Sequence, residues 1–246
     1  MKSRLDLVLV ERGLSASRER ARAMILAGQV RVNGQVVSKA GHPVTPDAEI
    51  ALIEPDHPYV GRGGVKLAHA LEAFGIDPRG RVALDVGAST GGFTDVLLRR
   101  GAARVVALDV GHGQLDWTLR NDPRVLVIER VNARTLAADQ LPPDARAFGI
   151  ITIDVSFIAV RHVLPAVAPL LRPDGDAVVL VKPQFEAGRD EVGKGGLVHD
   201  AAVHARVIEE VTAAADALGL TRAAVAESPI TGTEGNREFF LHLRHG

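Results

Sequence analysis

The 246-residue chain contains no cysteine. That absence excludes disulfides, thiolate metal sites, iron–sulfur clusters and thiol nucleophiles together, and it fits a reducing compartment. Aromatic residues are scarce: seven Phe, one Tyr and one Trp, with none before Tyr59. Base or ligand stacking therefore cannot dominate in the first quarter of the chain. Uninterrupted apolar runs are also missing. The best stretch, 163–181, is broken by Arg172, Asp174, Asp176 and three prolines, and a membrane helix needs about 18 apolar residues or more. An acid at Asp6 stands where a secretion signal needs its apolar core. There is no low-complexity tract and no internal repeat. The expectation is a soluble, cytoplasmic protein with no membrane partner.

What is present has an ordinary globular balance, 46% hydrophobic and 24% charged, enough to bury a real core. The net charge of -1 hides an asymmetry. Residues 1–46 carry eight basic and three acidic side chains, an excess of +5 that suits an anionic partner or a solvated basic surface. This segment reads as a helix over 4–11 stopped by Gly13, then a helix over 18–27 with Ser17 as N-cap and Gly28 as its C′ residue. Strands at 29–32 and 35–37 flank Asn33-Gly34, a strong hairpin signal, and a strand at 48–53 closes a small α+β domain, 1–54. Residues 55–60, with two prolines and no periodicity, read as a linker. From 61 to 246 helices alternate with short apolar strands at Val82–Val86, Arg104–Asp109, Val125–Glu129, 150–154 and 177–181. A final hairpin uses 222–228 and 237–243. The pattern predicts an α/β Rossmann-like fold, a mostly parallel sheet with helices on both faces.

The sharpest local signal is Asp85-Val86-Gly87-Ala88-Ser89-Thr90-Gly91-Gly92-Phe93, a strand running into a glycine turn that opens a helix. Such a turn lets backbone approach a ligand and presents free N–H groups. Asp109 ends the next strand, 22 residues after Gly87, where an acid takes ribose hydroxyls in nucleotide-binding sheets. The turn matches neither the dinucleotide spacing, since Ser89 replaces the second glycine, nor a P-loop. An adenosyl ligand without a pyrophosphate, such as S-adenosylmethionine, fits better than hydride or phosphoryl carriers. Asp154 and Lys182 end two further strands, at the sheet edge where ligands bind. Lys66 enters at the start of a helix and Glu238 from the late hairpin. Singly each is an ordinary surface charge; together they converge on one end of the sheet. The nine histidines form no metal-ligand pattern, so no metal is expected.

These stretches, with Asp109-Val110-Gly111, Asn121-Asp122-Pro123-Arg124, Asp154-Val155-Ser156-Phe157-Ile158, Val181-Lys182-Pro183-Gln184-Phe185-Glu186 and Gly196-Leu197-Val198-His199-Asp200, resemble the TlyA proteins, often labelled hemolysin A. More broadly they resemble the FtsJ-like ribose methyltransferases. The resemblance implies a catalytic tetrad at Lys66, Asp154, Lys182 and Glu238. It implies a cofactor site from Asp85, Gly87, Ala88, Ser89, Gly91, Gly92 and Phe93 near the methionine part and Asp109 on the ribose. Asn132 is placed at the adenine or, equally, as a cap. The N-terminal segment resembles a small RNA-binding domain of a ribosomal small-subunit protein, through Arg4-Leu5-Asp6, Ser17-Arg18, Gly28-Gln29-Val30 and Val32-Asn33-Gly34. Arg4, Arg18, Arg20 and Arg22 are its candidate phosphate contacts.

The implied activity is cytidine 2′-O-methylation of ribosomal RNA. With no extension at either end, the chain looks like the shorter form of the family, which implies large-subunit RNA, with small-subunit RNA as the second option. Lys182 is the candidate base. Burial and the nearby Lys66 cation favour loss of its proton and the two carboxylates oppose it, so an orienting lysine with water as proton carrier stays open. Three rivals are open, one of them a methyltransferase acting on transfer RNA or a small molecule, of which the N-terminal domain disfavours the small molecule but not other RNAs. A cytolysin is disfavoured by the missing membrane and secretion signals. A non-catalytic S-adenosylmethionine sensor has no use for a second lysine.

Overall fold

A computed structural model describes residues 2–15, 17–26, 28–53, 57–143, 145–232 and 234–246. In the N-terminal unit, β1 (Ser3–Arg4) leads into α1 (Leu5–Glu11), followed by α2 (Arg18–Leu26). The helices and the strands β2 (Val30–Val32), β3 (Gln35–Val36), β4 (Pro43–Val44) and β5 (Ile50–Leu52) enclose Leu5, Leu9, Ala21, Ile25, Val30 and Val44. The expected hairpin forms, with Asn33 at φ 49° and Gly34 at φ 79°, the double left-handed turn that the Asn-Gly pair favours. Ser17 Oγ accepts from Arg20 N–H at 3.2 Å, as an N-cap does. Gly28, at φ 73°, donates to Ile25 O and stops the second helix; Ala27, its expected last residue, lies outside the described residues.

The start of the chain differs from the sequence reading, and the strand expected over 177–181 begins six residues earlier, at Leu171. Arg4, expected as the first helical residue, stands in β1, because Ser3 and Arg4 pair antiparallel with Val44 and Pro43. A ladder of two residues leaves no periodicity to read.

The second unit runs α3 (Gly63–Phe74), β6 (Val82–Val86), α4 (Gly92–Arg99), β7 (Arg104–Asp109), α5 (Trp117–Arg120), β8 (Val125–Glu129), β9 (Phe148–Ile153), α6 (Leu164–Val167), β10 (Leu171–Val181), α7 (Pro183–Glu186), α8 (Ala201–Asp216), β11 (Leu220–Glu227) and β12 (Phe239–His245). Its sheet has the order β11-β12-β10-β9-β6-β7-β8. The five strands from β10 to β8 are parallel, while β12 is antiparallel to both β10 and β11. Strand alternation divides the core. Ala83, Val105, Ala107, Val178 and Leu180 face α3 and α4 through Leu67, Leu71 and Val96. Leu84, Val106, Ile151, Val179 and Leu241 face the other way, onto Leu164, Val207 and Val211 of α6 and α8. Two apolar faces per strand are why these segments read as continuous hydrophobic runs.

Tyr59 and Val60, in the stretch read as a linker, pack on the α3–α4 layer, and Val60 N–H donates to Asp95 Oδ2 at 3.0 Å. Among the described residues, no helix is long and apolar enough to cross a membrane.

Candidate active site

The parallel strands end at one edge of the sheet, and the turns that follow them build the site. After β6 the chain doubles back through Gly87 at φ 87°, with the N–H groups of Gly87 and Ala88 both donating to Leu108 O. A Cβ on Gly87 would stand 2.2 Å from Asp154 O, so only glycine lets the first turn meet the end of β9. Gly91, at φ 99°, seats the turn on Leu115 and Leu119. Gly92 brings α4 against the backbone of Gly63 and Gly64.

Two cavities open on this turn. The larger, about 500 Å³, is lined by Gly87, Ser89, Asp109, Gln114, Asn132 and Phe157, among others. The smaller, about 190 Å³, holds Lys66, Asp154, Lys182 and Glu238 together, with Ala88, Gly92 and Phe93 on its wall. Gly87, Ser89 and Asp154 line both cavities.

The four charged residues pair off. Lys66 Nζ lies 2.5 Å from Glu238 Oε2, and both side chains are buried. Lys182 Nζ lies 2.5 Å from Asp154 Oδ1 and donates to Ser156 Oγ at 2.9 Å. Topology explains the convergence. Asp154 and Lys182 follow the carboxyl ends of β9 and β10. Glu238 precedes the amino end of β12, and that strand is reversed, with Phe239 opposite Val181, so its start lies at the same edge. Gly232 leaves room for the Glu238 carboxylate, since a Cβ there would stand 2.5 Å from Oε1.

The remaining candidates separate by position. Asp109 accepts from Ser89 N–H at 2.7 Å and from Gly111 N–H at 2.6 Å, which fixes its carboxylate at the cavity wall. Asn132 lines the larger cavity and also caps a short turn of 3₁₀ helix, its Oδ1 accepting from Arg134 N–H. Gly91 lines neither cavity, because it faces Leu115 and Leu119. Asp85 also lines neither. It lies fully buried beneath the turn, accepting from Thr94 Oγ1 at 2.6 Å and Thr152 Oγ1 at 3.0 Å.

Burial pushes the Asp85 carboxyl up to about 7, against the two threonine hydroxyls that hold it down. In the unfolded chain such a group ionises near pH ~3.9. Between those values the native state keeps a proton that the unfolded chain has released. The stabilising contribution is therefore full below the unfolded value and is lost as pH rises through about 7. Asp85→Asn removes this dependence. From about pH 5 to about pH 8 the variant should gain about 2–3 kcal/mol of stability relative to the wild type in urea titrations. A constant difference across that range would sink the assignment. Glu186, also pushed up by burial to about 7, shares the window but cancels in the comparison.

On the N-terminal unit the four candidate arginines are not equivalent. Arg4 grips the buried Asp6 carboxylate through Nε and Nη2, at 2.9 and 3.0 Å, and Arg18 Nε reaches the same group at 3.0 Å. Hydrogen bonds from Arg4 first, then from Arg18, hold Asp6 down at about 2 despite its burial. Arg20 and Arg22 are exposed on α2 and make no ion pair among the described residues. Sequence reasoning assigned no role to Ser156 or Gln114. Ser156 stands two residues after Asp154, inside the Asp154-Val155-Ser156-Phe157-Ile158 stretch of the resemblance, and that place was its signal.

Residues 59–245 match the FtsJ-like methyltransferase family and residues 3–50 match the S4 domain. A Mycobacterium tuberculosis protein named 16S/23S rRNA (cytidine-2′-O)-methyltransferase TlyA is 47% identical over 244 residues, which cover 99% of this chain and 90% of that protein. Hemolysin A of Brachyspira hyodysenteriae is 39% identical over 240 residues, covering 98% and 99%. A solved structure of a hemolysin-named protein from Streptococcus thermophilus superposes with a TM-score of 0.76 at 41% identity, covering 99% of this chain and 88% of that one. An S4 domain joined to a Rossmann-like methyltransferase domain, matched by these relatives over almost its whole length, makes the chain a member of the TlyA family of FtsJ-like methyltransferases.

Proposed function

We propose that the protein transfers a methyl group from S-adenosylmethionine to the 2′-hydroxyl of a cytidine in ribosomal RNA, with large-subunit RNA among its substrates. The observation that carries this reading is the shared wall of the two cavities. Gly87, Ser89 and Asp154 border both the space that suits a cofactor and the pocket that holds the lysine–carboxylate pairs. The activity for which the M. tuberculosis relative is named supports the RNA and the position of methylation.

The larger cavity fits the cofactor on its own terms. Its volume is within the range of small-ligand sites. Gly87 provides a cradle that a Cβ would fill, and Asp109 presents a fixed carboxylate for ribose hydroxyls. S-adenosylmethionine, when bound, supplies a methyl group already activated on a sulfonium. The protein has then to position and deprotonate the acceptor. In this scheme Lys182 Nζ takes the 2′-hydroxyl proton while passing one of its own to Asp154 Oδ1, its partner at 2.5 Å. Ser156 fixes the direction of the ammonium group. Lys66 and Glu238, paired across the pocket, hold the ribose on its far side.

The test is methyl transfer from labelled cofactor to separated ribosomal subunits of a strain lacking the gene, followed by nuclease mapping. Label on a cytidine ribose of large-subunit RNA is expected, and label on both subunits extends the substrate range. No label with intact cofactor binding rejects the reading.

Binding should be electrostatic and carried in part by Arg20 and Arg22. Each phosphate contact contributes a slope of roughly 0.7–0.9 to the dependence of log affinity on log salt. The Arg20→Ala, Arg22→Ala double variant should therefore flatten that slope by about 1.5. An unchanged slope removes these side chains from the RNA surface. The proposed location is the cytoplasm, where the substrate is made.

A further inference from the structure

We infer that Trp117, the single tryptophan of the chain, is a stacking platform for a nucleobase flanking the target cytidine; this rests on the RNA reading above. A tryptophan buries more apolar area than almost any side chain, yet this one is 66% exposed. Its exposure is not that of a loose loop. Asp116 caps α5 by accepting from Thr118 N–H at 2.8 Å, and Asn121 Nδ2 donates to Trp117 O at 2.7 Å. Beneath it, Leu119 is buried against Gly91, where a Cβ would stand 2.3 Å from Leu119 Cδ1, and Asp116 N–H donates to Thr90 O at 3.0 Å. The indole is thus displayed on a rigid turn of helix locked to the cofactor-side glycine turn.

It also faces a groove of about 280 Å³ whose opposite wall is α2. Glu19, Arg20 and Ala23 stand on that side; His112, Leu115, Asp116, Trp117 and Arg120 stand on the other, with the Asp116 carboxylate spent on Thr118 N–H and Oγ1. Arg120 and His112 are both tied to Glu129, so they line the groove without supplying free charge. Of the cations lining this groove, Arg20 is the one without an ion pair among the described residues, with the exposed Glu19 next to it in the chain. An apolar face opposite a free guanidinium, with the basic helix of an S4 domain forming the wall, suits one nucleotide. The base lies on the indole and its phosphate is held by Arg20. This division also answers the compositional problem of the N-terminal unit, which has charge but no aromatic residue. The methyltransferase domain contributes the stacking surface and the S4 domain contributes the charge.

Because the chain has one tryptophan, its fluorescence reports this residue alone. The probe is an unmodified 23S rRNA transcript, with binding followed independently by filter retention and methyl transfer measured in parallel. Bound RNA should quench the emission and shield the indole from acrylamide. Trp117→Ala should raise KM for the transcript about tenfold at near-constant kcat, and Trp117→Phe should restore most of it. A role confined to folding predicts instead a lower melting temperature with no KM-specific loss. RNA that binds and is methylated with emission and acrylamide quenching unchanged, or an alanine variant with wild-type KM, overturns the proposal while leaving the enzymatic reading intact. A transcript that is neither retained nor methylated, with separated subunits also unlabelled, overturns both.

Discussion

Replacing Lys182 by alanine should lower the turnover number about 10³-fold while S-adenosylmethionine still binds, within the usual contribution of a proton-transfer group. Lys182 borders the pocket of charged pairs and not the larger cavity, so cofactor affinity measured by calorimetry should hold. The variant should also fold. Its partner Asp154 keeps 21% of its side chain in contact with solvent, and water can replace the lost ammonium. Lys66 would be a poorer choice for this experiment. Glu238 retains only 2% exposure, and a buried carboxylate without its cation costs about 3–5 kcal/mol. Lys182→Arg separates proton transfer from orientation. A guanidinium keeps the positive charge but does not give up its proton in the working range, so this variant should be as inactive as alanine. Substantial activity in it would hand the proton to water and leave Lys182 an orienting role.

The second large effect is expected at Gly87. Alanine there meets two penalties at once, a left-handed backbone at φ 87° and a Cβ 2.2 Å from the Asp154 carbonyl oxygen. Backbone does not yield as a side-chain tip would, so the ends of β6 and β9 have to separate. We expect a loss of about 3 kcal/mol, which lowers the melting temperature by roughly 6–12 °C for a domain of this size. Cofactor binding and turnover should be lost with it, because the same contact walls both cavities. Gly113→Ala is the control. It also has a positive φ, 66°, but open space around the missing Cβ. It should cost only the backbone strain, about 1 kcal/mol. Equal melting temperatures for the two variants would refute the steric argument.

The fold was readable where one local rule governs one element. The Asn33-Gly34 hairpin, the Ser17 cap and the buried strands of the sheet are set by neighbouring residues. The ladder of Ser3–Arg4 with Pro43–Val44 was not, because it is two residues long and its partners are distant in sequence. At the site, residue types and strand ends indicated the quartet, but not which lysine pairs with which acid. That depends on β12 entering the sheet reversed, a choice that short apolar strands do not encode. Asp85 reads like a ligand contact from its place before the glycine turn; only the packed structure reveals Thr94 and Thr152 beside it and no cavity in front of it. Arg4 and Arg18 likewise read as free cations until the fold buries Asp6 between them.

The reversed last strand makes two distant stretches of the chain meet at one edge of the sheet. Every residue named on the larger cavity comes from the stretch between β6 and β9 and the loop that follows it. Glu238 arrives on a hairpin of β11 and β12 that borders the sheet on its far side and touches that cavity nowhere. The larger cavity is therefore complete without the terminal hairpin, whereas the pocket of charged pairs takes one of its four charges from it. Substitutions in the terminal hairpin should disturb the pocket of charged pairs while leaving the larger cavity intact.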